Sequence, residues 1–110
     1  TGIGSALFVD GALVPNTELG HLELHGGDAE HYAADSVRVA EELGWREFAQ
    51  RLEEYVHVVE RLLWPDLIII GGGVSKKADK YLPHISAATP IVPAVLRNNA
   101  GIVGAAMATR

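Results

Sequence analysis

The sequence predicts an α/β domain in which helices cover a sheet, and three patterns support this prediction. Residues 4–15 contain two short apolar segments joined by an Asp-Gly pair, a strong signal for a tight hairpin turn. Two later stretches, residues 28–43 and 46–63, repeat apolar residues at helical spacing. Leu67–Ile70 is apolar without alternation, which is typical of a strand covered on both faces.

Local signals set the ends of these elements. Pro15 ends the hairpin and leaves residues 18–21 in a loop or short turn. Asp28 is the expected N-cap of the first helix, which Gly44 ends, and Pro65 ends the second helix.

The C-terminal third predicts shorter elements. We expect a short helix over residues 76–81, an extended segment over 90–96 and a small-residue helix over 100–108. Trp45 and Trp64 are expected to be packing residues rather than platforms for a ligand.

Composition narrows the classes of partner. The chain has 110 residues, 14 of them acidic and 9 basic, and a net charge of −5. This balance argues against a nucleic-acid or anionic membrane surface. No apolar run approaches the ~20 residues of a membrane span, and the absence of cysteine excludes disulfides and thiolate zinc sites. We expect a cytoplasmic protein.

Two glycine-rich segments are candidate phosphate sites, because glycine lets backbone N–H groups approach a phosphate closely. One opens the sequence and the other follows the predicted strand at 67–70, the edge that ligands favour in open α/β sheets. A simple turn at either place is the alternative, and neither segment fits the Walker or dinucleotide-binding pattern. The candidate phosphate-binding residues are Thr1, Gly2, Gly4, Gly71, Gly72 and Gly73.

The predicted loop carries a carboxylate and an imidazole. Glu18 and His21 flank Gly20 in a Glu-x-Gly-His pattern, which offers hydrogen-bonding groups suited to neutral hydroxyls. From the residues alone, a solvated loop is the alternative.

A dense basic group follows the second glycine segment. Lysines in an acidic chain can hold a phosphate polymer, although a solvated helix face would have the same composition. The residues are Lys76, Lys77 and Lys80.

Together with the small-residue ending at 100–106, these motifs resemble the ROK family of sugar kinases and sugar-responsive repressors. The resemblance spans nearly the whole chain and implies the actin-like ATPase (ribonuclease H-like) fold, with a mixed sheet flanked by helices. The segments 63–66 and 75–80 are more narrowly similar to the polyphosphate glucokinases of that family. These enzymes transfer phosphate from polyphosphate or ATP to glucose.

The resemblance implies roles for particular residues. Glu18 and His21 match the family's sugar-binding motif, and Glu30 resembles a further sugar-contacting glutamate, although a helix N-terminal carboxylate is the alternative. The glycine segments and lysines would contact the donor, with Mg²⁺ accompanying it. The family's catalytic aspartate would precede Thr1, so we expect no catalytic residue here, and we assign that role to none of Asp10, Asp28 and Asp66.

Many relatives carry a cysteine-rich zinc motif where this chain has residues 22–28 without cysteine. His21, His25 and His31 fit no standard ligand spacing, so we expect no metal site on protein side chains.

The resemblance also implies that residues 1–110 are the C-terminal domain of a two-domain sugar kinase, inactive alone and dimeric in its parent protein. The main alternative is the effector-binding domain of a sugar-responsive ROK repressor. An acetate- or glycerol-kinase-like or chaperone-type member of the superfold would not explain the motif at residues 18–21.

Overall fold

The computed structural model describes residues 2–94 in full and residues 106–109 as a strand. The strands are β1 Leu7–Val9, β2 Ala12–Val14, β3 Glu23–Leu24, β4 Gly27–Asp28, β5 Leu67–Ile70, β6 Ile91–Pro93 and β7 Ala106–Thr109. The α-helices are α1 Glu30–Ala33, α2 Asp35–Ala40, α3 Trp45–Leu63 and α4 Ala78–Tyr81, and 3₁₀ helices cover Leu19–His21, Gly73–Lys77 and Leu82–His84. No helix in this part of the chain is long and apolar enough to cross a membrane.

The main sheet is mixed, as predicted. Its strand order is β2-β1-β7-β5-β6, with β1 parallel to β7, β5 parallel to β6, and the other two pairs antiparallel. The hairpin β1–β2 is confirmed, and its Asp10-Gly11 turn has positive φ at both residues, 51° and 79°. The strand β5 lies inside the sheet between β7 and β6, which confirms it as a central strand.

The long helix α3 is confirmed within one residue of its predicted start, and it carries the core. Its buried face packs against β1, β5 and the segment before α1, in a cluster of Leu7, Ala29, Ala33, Tyr55, Val56, Val59 and Ile68. Near its N-terminus, Phe48 and Ala49 pack with Ala78 and Tyr81 of α4. The helix therefore packs against both the sheet and α4, which follows the glycines at 71–73.

The two tryptophans differ. Trp45 stacks on Tyr81 with ring centroids 5.8 Å apart, as a packing residue should. Trp64 is 76% exposed, so its prediction as a packing residue is wrong. It lies just beyond α3 in a left-handed conformation, with φ 49°, where the helix's apolar stripe no longer determines its direction.

The predicted single helix over residues 28–43 is wrong. Ala34, with φ −72° and ψ 154°, is extended and separates α1 from α2. Asp28 caps no helix, because it belongs to β4 in a small hairpin whose turn, His25-Gly26, has positive φ at both residues. Helical periodicity continued across the break because Ala33 and Ala34 are both buried.

Of the predictions for the C-terminal third, the first two are confirmed in the described residues and the third is wrong. The helix over 76–81 forms as the end of a 3₁₀ helix followed by α4. Within the predicted extended segment 90–96, β6 covers Ile91–Pro93, and residues 95 and 96 lie outside the described part. The helix over 100–108 is wrong at residues 106–108, which belong to β7, and residues 100–105 lie outside the described part. Pairing of β7 with strands on both sides overrides the helix propensity of alanine.

Candidate functional site

Glu30 is the centre of the polar site. Its Oε1 accepts a hydrogen bond from the N–H of Ile3 at 3.2 Å, and its Oε2 lies 3.6 Å from Nε2 of His21. The Glu30 side chain is 19% exposed, whereas that of His21 is 59% exposed. One carboxylate thus joins the first glycine segment to the Glu-x-Gly-His turn.

Gly20 lets the three predicted sugar-contacting residues come together. A Cβ at this position would lie 2.5 Å from the carbonyl oxygen of Ile3 and 3.1 Å from a carboxylate oxygen of each of Glu18 and Glu30. The first distance is shorter than real Cβ contacts, so the close approach requires glycine. The structure therefore places Glu18, His21 and Glu30 around one small residue.

Gly2 also lies close to the Glu30 side chain. A Cβ there would overlap Oε1 of Glu30, so this flexible side chain would have to move. The role that the structure gives Gly2 is to admit the Glu30 carboxylate. Thr1, its predicted partner in phosphate binding, lies outside the described residues.

The two glycine segments line one open cavity of about 520 Å³. Residues 2–6 and 33–35, part of α3, and residues 68–74 form its walls. The lining is mainly apolar, and its charged side chain is Asp35, which accepts a hydrogen bond of 2.7 Å from Arg38. Sequence reasoning missed Asp35 because the predicted continuous helix concealed the break at Ala34 that places it at the start of α2.

The second glycine segment ends in a well-fixed turn. Gly72 has φ 78°, and its carbonyl oxygen accepts hydrogen bonds from Ser75 N–H at 3.1 Å and Ser75 Oγ at 2.6 Å. The hydroxyl of Tyr81 donates to the carbonyl oxygen of Val74 at 2.8 Å. Burial raises the pKa of Tyr81 to about 12, so this hydroxyl remains a donor at neutral pH. The glycines thus lead into a braced 3₁₀ helix.

The three lysines that follow are exposed and do not line the cavity. Lys76 and Lys77 end the 3₁₀ helix, and Lys80 lies in α4. A donor that reaches them would extend over the surface beside the glycine turn. This arrangement suits a long anionic chain better than a compact one.

A group of possible metal ligands was not predicted. One ligand atom from each of His21, Asp28 and Glu30 lies within 4.8 Å of the others. Mg²⁺ prefers six oxygen ligands in octahedral geometry, whereas this group offers one imidazole nitrogen and two carboxylates, and the Glu30 carboxylate already accepts the Ile3 N–H. These residues do not fit a Mg²⁺ site.

The similar proteins of known name belong to the group that the sequence motifs resemble. No protein-family model matches the chain. The polyphosphate glucokinase of Mycobacterium tuberculosis (strain CDC 1551 / Oshkosh) is 50% identical over 109 residues, which are 99% of this chain and 41% of that relative. The polyphosphate glucokinase of Mycobacterium leprae (strain TN) is 49% identical over 109 residues, 34% of its length. The chain resembles the C-terminal part of a polyphosphate glucokinase.

A solved structure agrees with this resemblance. The crystal structure of an inorganic polyphosphate/ATP-glucomannokinase from Arthrobacter sp. strain KM matches with a TM-score of 0.77 and 46% sequence identity. The match covers 89% of this chain and 44% of that one. The chain thus spans less than half the length of the relatives that it matches.

Proposed function

We propose that residues 1–110 are the C-terminal domain of a two-domain glucokinase of the ROK family, with the actin-like ATPase fold. The reaction is transfer of a phosphoryl group from polyphosphate or ATP to glucose, giving glucose 6-phosphate. The observation that carries the proposal is the convergence of Glu18, His21 and Glu30 around Gly20, next to the segment that holds Gly2 and Gly4. The names of the relatives favour a kinase over a repressor's effector domain.

On the sugar side, the exposed carboxylate of Glu18 accepts hydrogen bonds from sugar hydroxyls, and the imidazole of His21 donates or accepts one. Glu30 holds the turn against Ile3 with Oε1 and offers Oε2 to the sugar. Several such bonds fix the orientation of a neutral polyhydroxylated ligand, which brings one hydroxyl to the donor phosphate.

On the donor side, backbone N–H groups of Gly2, Gly4 and the segment 71–73 receive phosphate oxygens. Lys76, Lys77 and Lys80 bind further phosphates of the polymer as point charges. In the transfer itself, the sugar oxygen forms a bond to phosphorus as the bond to the leaving phosphate breaks, and a base takes the hydroxyl proton. We place that base, an aspartate, in the parent protein outside these residues, and Mg²⁺ with the donor.

The parent protein is proposed to be a cytoplasmic homodimer. Sedimentation of the full-length protein tests the dimer separately from the activity, since the proposed sugar and donor contacts all lie within one chain.

Glucose 6-phosphate formation by the full-length parent protein, with polyphosphate and ATP supplied in parallel, tests the proposed reaction. Product with polyphosphate is the expected result, and residues 1–110 alone should give none. No product with either donor would contradict the kinase, and tight sugar binding without turnover would favour the effector domain. Turnover by residues 1–110 alone would contradict the proposed division of the site between two domains.

A further inference from the structure

Leu19 is held from both sides by side chains of other elements. Its N–H donates to Oγ of Ser5 at 3.2 Å, and its carbonyl oxygen accepts from the hydroxyl of Tyr55 at 3.0 Å. Ser5 directly follows the first glycine segment, and Tyr55 projects from the middle of α3. The turn is thereby tied to the donor segment and to the long helix through one residue.

The bond from Tyr55 exceeds what the turn itself requires. The Leu19 carbonyl already accepts a hydrogen bond from the N–H of Leu22 at 3.2 Å, which closes the 3₁₀ helix. Backbone satisfaction therefore does not depend on Tyr55. What the hydroxyl adds is a fixed position for the turn relative to α3, whose core packing makes it a rigid support.

The surroundings of the Tyr55 hydroxyl keep it protonated, so that it can donate a hydrogen bond. Tyr55 is 7% exposed, and burial, followed by the charges of Glu18 and Glu30, raises its pKa well above the ordinary value.

We propose that Tyr55, with Ser5 opposite it, is a positioning residue that sets the sugar affinity of the turn Glu18–Leu19–Gly20–His21. This inference rests on the proposed function. Glu18 precedes Leu19 and His21 follows it by two residues, so a shift of Leu19 displaces both sugar-contacting side chains. Sugar recognition depends on such placement to within about half an ångström.

Tyr81 supplies a matched control. It too is a buried tyrosine, and its hydroxyl donates to a backbone carbonyl, that of Val74, at 2.8 Å. Its target lies in the turn after the second glycine segment instead of the sugar turn. Removal of either hydroxyl costs one partly buried hydrogen bond, but only removal of the Tyr55 hydroxyl frees the sugar turn.

The test uses the full-length enzyme and its Tyr55→Phe, Ser5→Ala and Tyr81→Phe variants. KM for glucose is measured at saturating polyphosphate, and KM for polyphosphate at saturating glucose, with Tm recorded for each variant. Tyr55→Phe should raise the glucose KM by about two- to ten-fold, the range expected for one net hydrogen bond, with little change in the polyphosphate KM. Ser5→Ala should act in the same direction, and Tyr81→Phe should leave the glucose KM unchanged while lowering Tm similarly.

A Tyr55→Phe enzyme that is less stable but has the wild-type glucose KM would overturn the inference. A glucose KM that rises equally in Tyr55→Phe and Tyr81→Phe would also overturn it. Should Tyr55→Phe fail to fold, an unchanged glucose KM in Ser5→Ala would overturn it. Absence of turnover in the wild-type protein would overturn the proposed function and this inference together. An active wild type with an unaffected Tyr55→Phe variant would overturn only the inference.

Discussion

Replacement of Gly20 by alanine tests the geometry of the site most sharply. The added Cβ would lie 2.5 Å from the carbonyl oxygen of Ile3, and that backbone must retreat by at least about 0.5 Å to reach a 3.0 Å contact. Such a shift threatens the 3.2 Å bond from Ile3 N–H to Glu30. Steric strain of about 1–3 kcal/mol and about 1 kcal/mol for the lost bond predict a destabilisation of roughly 2–4 kcal/mol.

Native-state hydrogen exchange of the slowest α3 amides measures this loss within the full-length protein. The same variant should show a raised glucose KM, because Glu18 and Glu30 both border the added methyl group. Gly27→Ala is the control, since a Cβ there meets nothing within 4 Å, and its effect should remain within about 0.5 kcal/mol. Equal exchange rates in Gly20→Ala and Gly27→Ala would refute the close approach of Gly20 to Ile3.

Three further predictions follow from the same contacts. Glu30→Gln keeps an oxygen for the Ile3 N–H but loses its charge beside His21, so it should raise the glucose KM alone. Glu30→Ala also loses the bond to Ile3 and should raise the glucose and polyphosphate KM values together. Steady-state kinetics in which Glu30→Gln raises the polyphosphate KM, or Glu30→Ala leaves it unchanged, would contradict this prediction. Replacement of Lys76, Lys77 and Lys80 by glutamine should raise the polyphosphate KM and weaken its salt dependence at constant glucose KM, and an unchanged salt dependence would exclude these lysines from the donor path. The Tyr32 hydroxyl bond lowers the pKa of Glu54 against the opposing effect of burial, with a smaller contribution from His25. This stabilisation is present above the ordinary carboxyl pKa of about 4.3 and is lost as pH falls through the lowered value, so the Tm of Tyr32→Phe should depend less on pH below about 4.

The elements with the strongest local signals were predictable from sequence. The Asp10-Gly11 turn has positive φ at both residues, the apolar stripe of α3 repeats at helical spacing over its whole length, and β5 is a continuous apolar run that ends at the glycines. Glu18, His21 and Glu30 were selected by motif, and the structure adds that they meet around Gly20.

The misses have physical causes. Neither the break at Ala34 nor the strand β7 has a local signal, because both are rich in alanine, whose helix propensity favours a continuous helix, and the observed structure depends on tertiary contacts and strand pairing instead. The His25-Gly26 turn had one signal, a glycine able to take positive φ, but the histidine before it is not a usual turn residue. Tyr55 looked like a core residue because its place on the α3 stripe conceals the hydroxyl bond to Leu19.

The glucose KM of the full-length protein and of its Glu18→Gln variant, measured with polyphosphate at saturation, tests the sugar site most directly. Glu18 is exposed and its side chain borders Gly20, so the change removes a charge from the site with little effect on packing. We predict a raised glucose KM, an unchanged polyphosphate KM and an unchanged Tm. A Glu18→Gln enzyme with the wild-type glucose KM would contradict the assignment of this turn to the sugar.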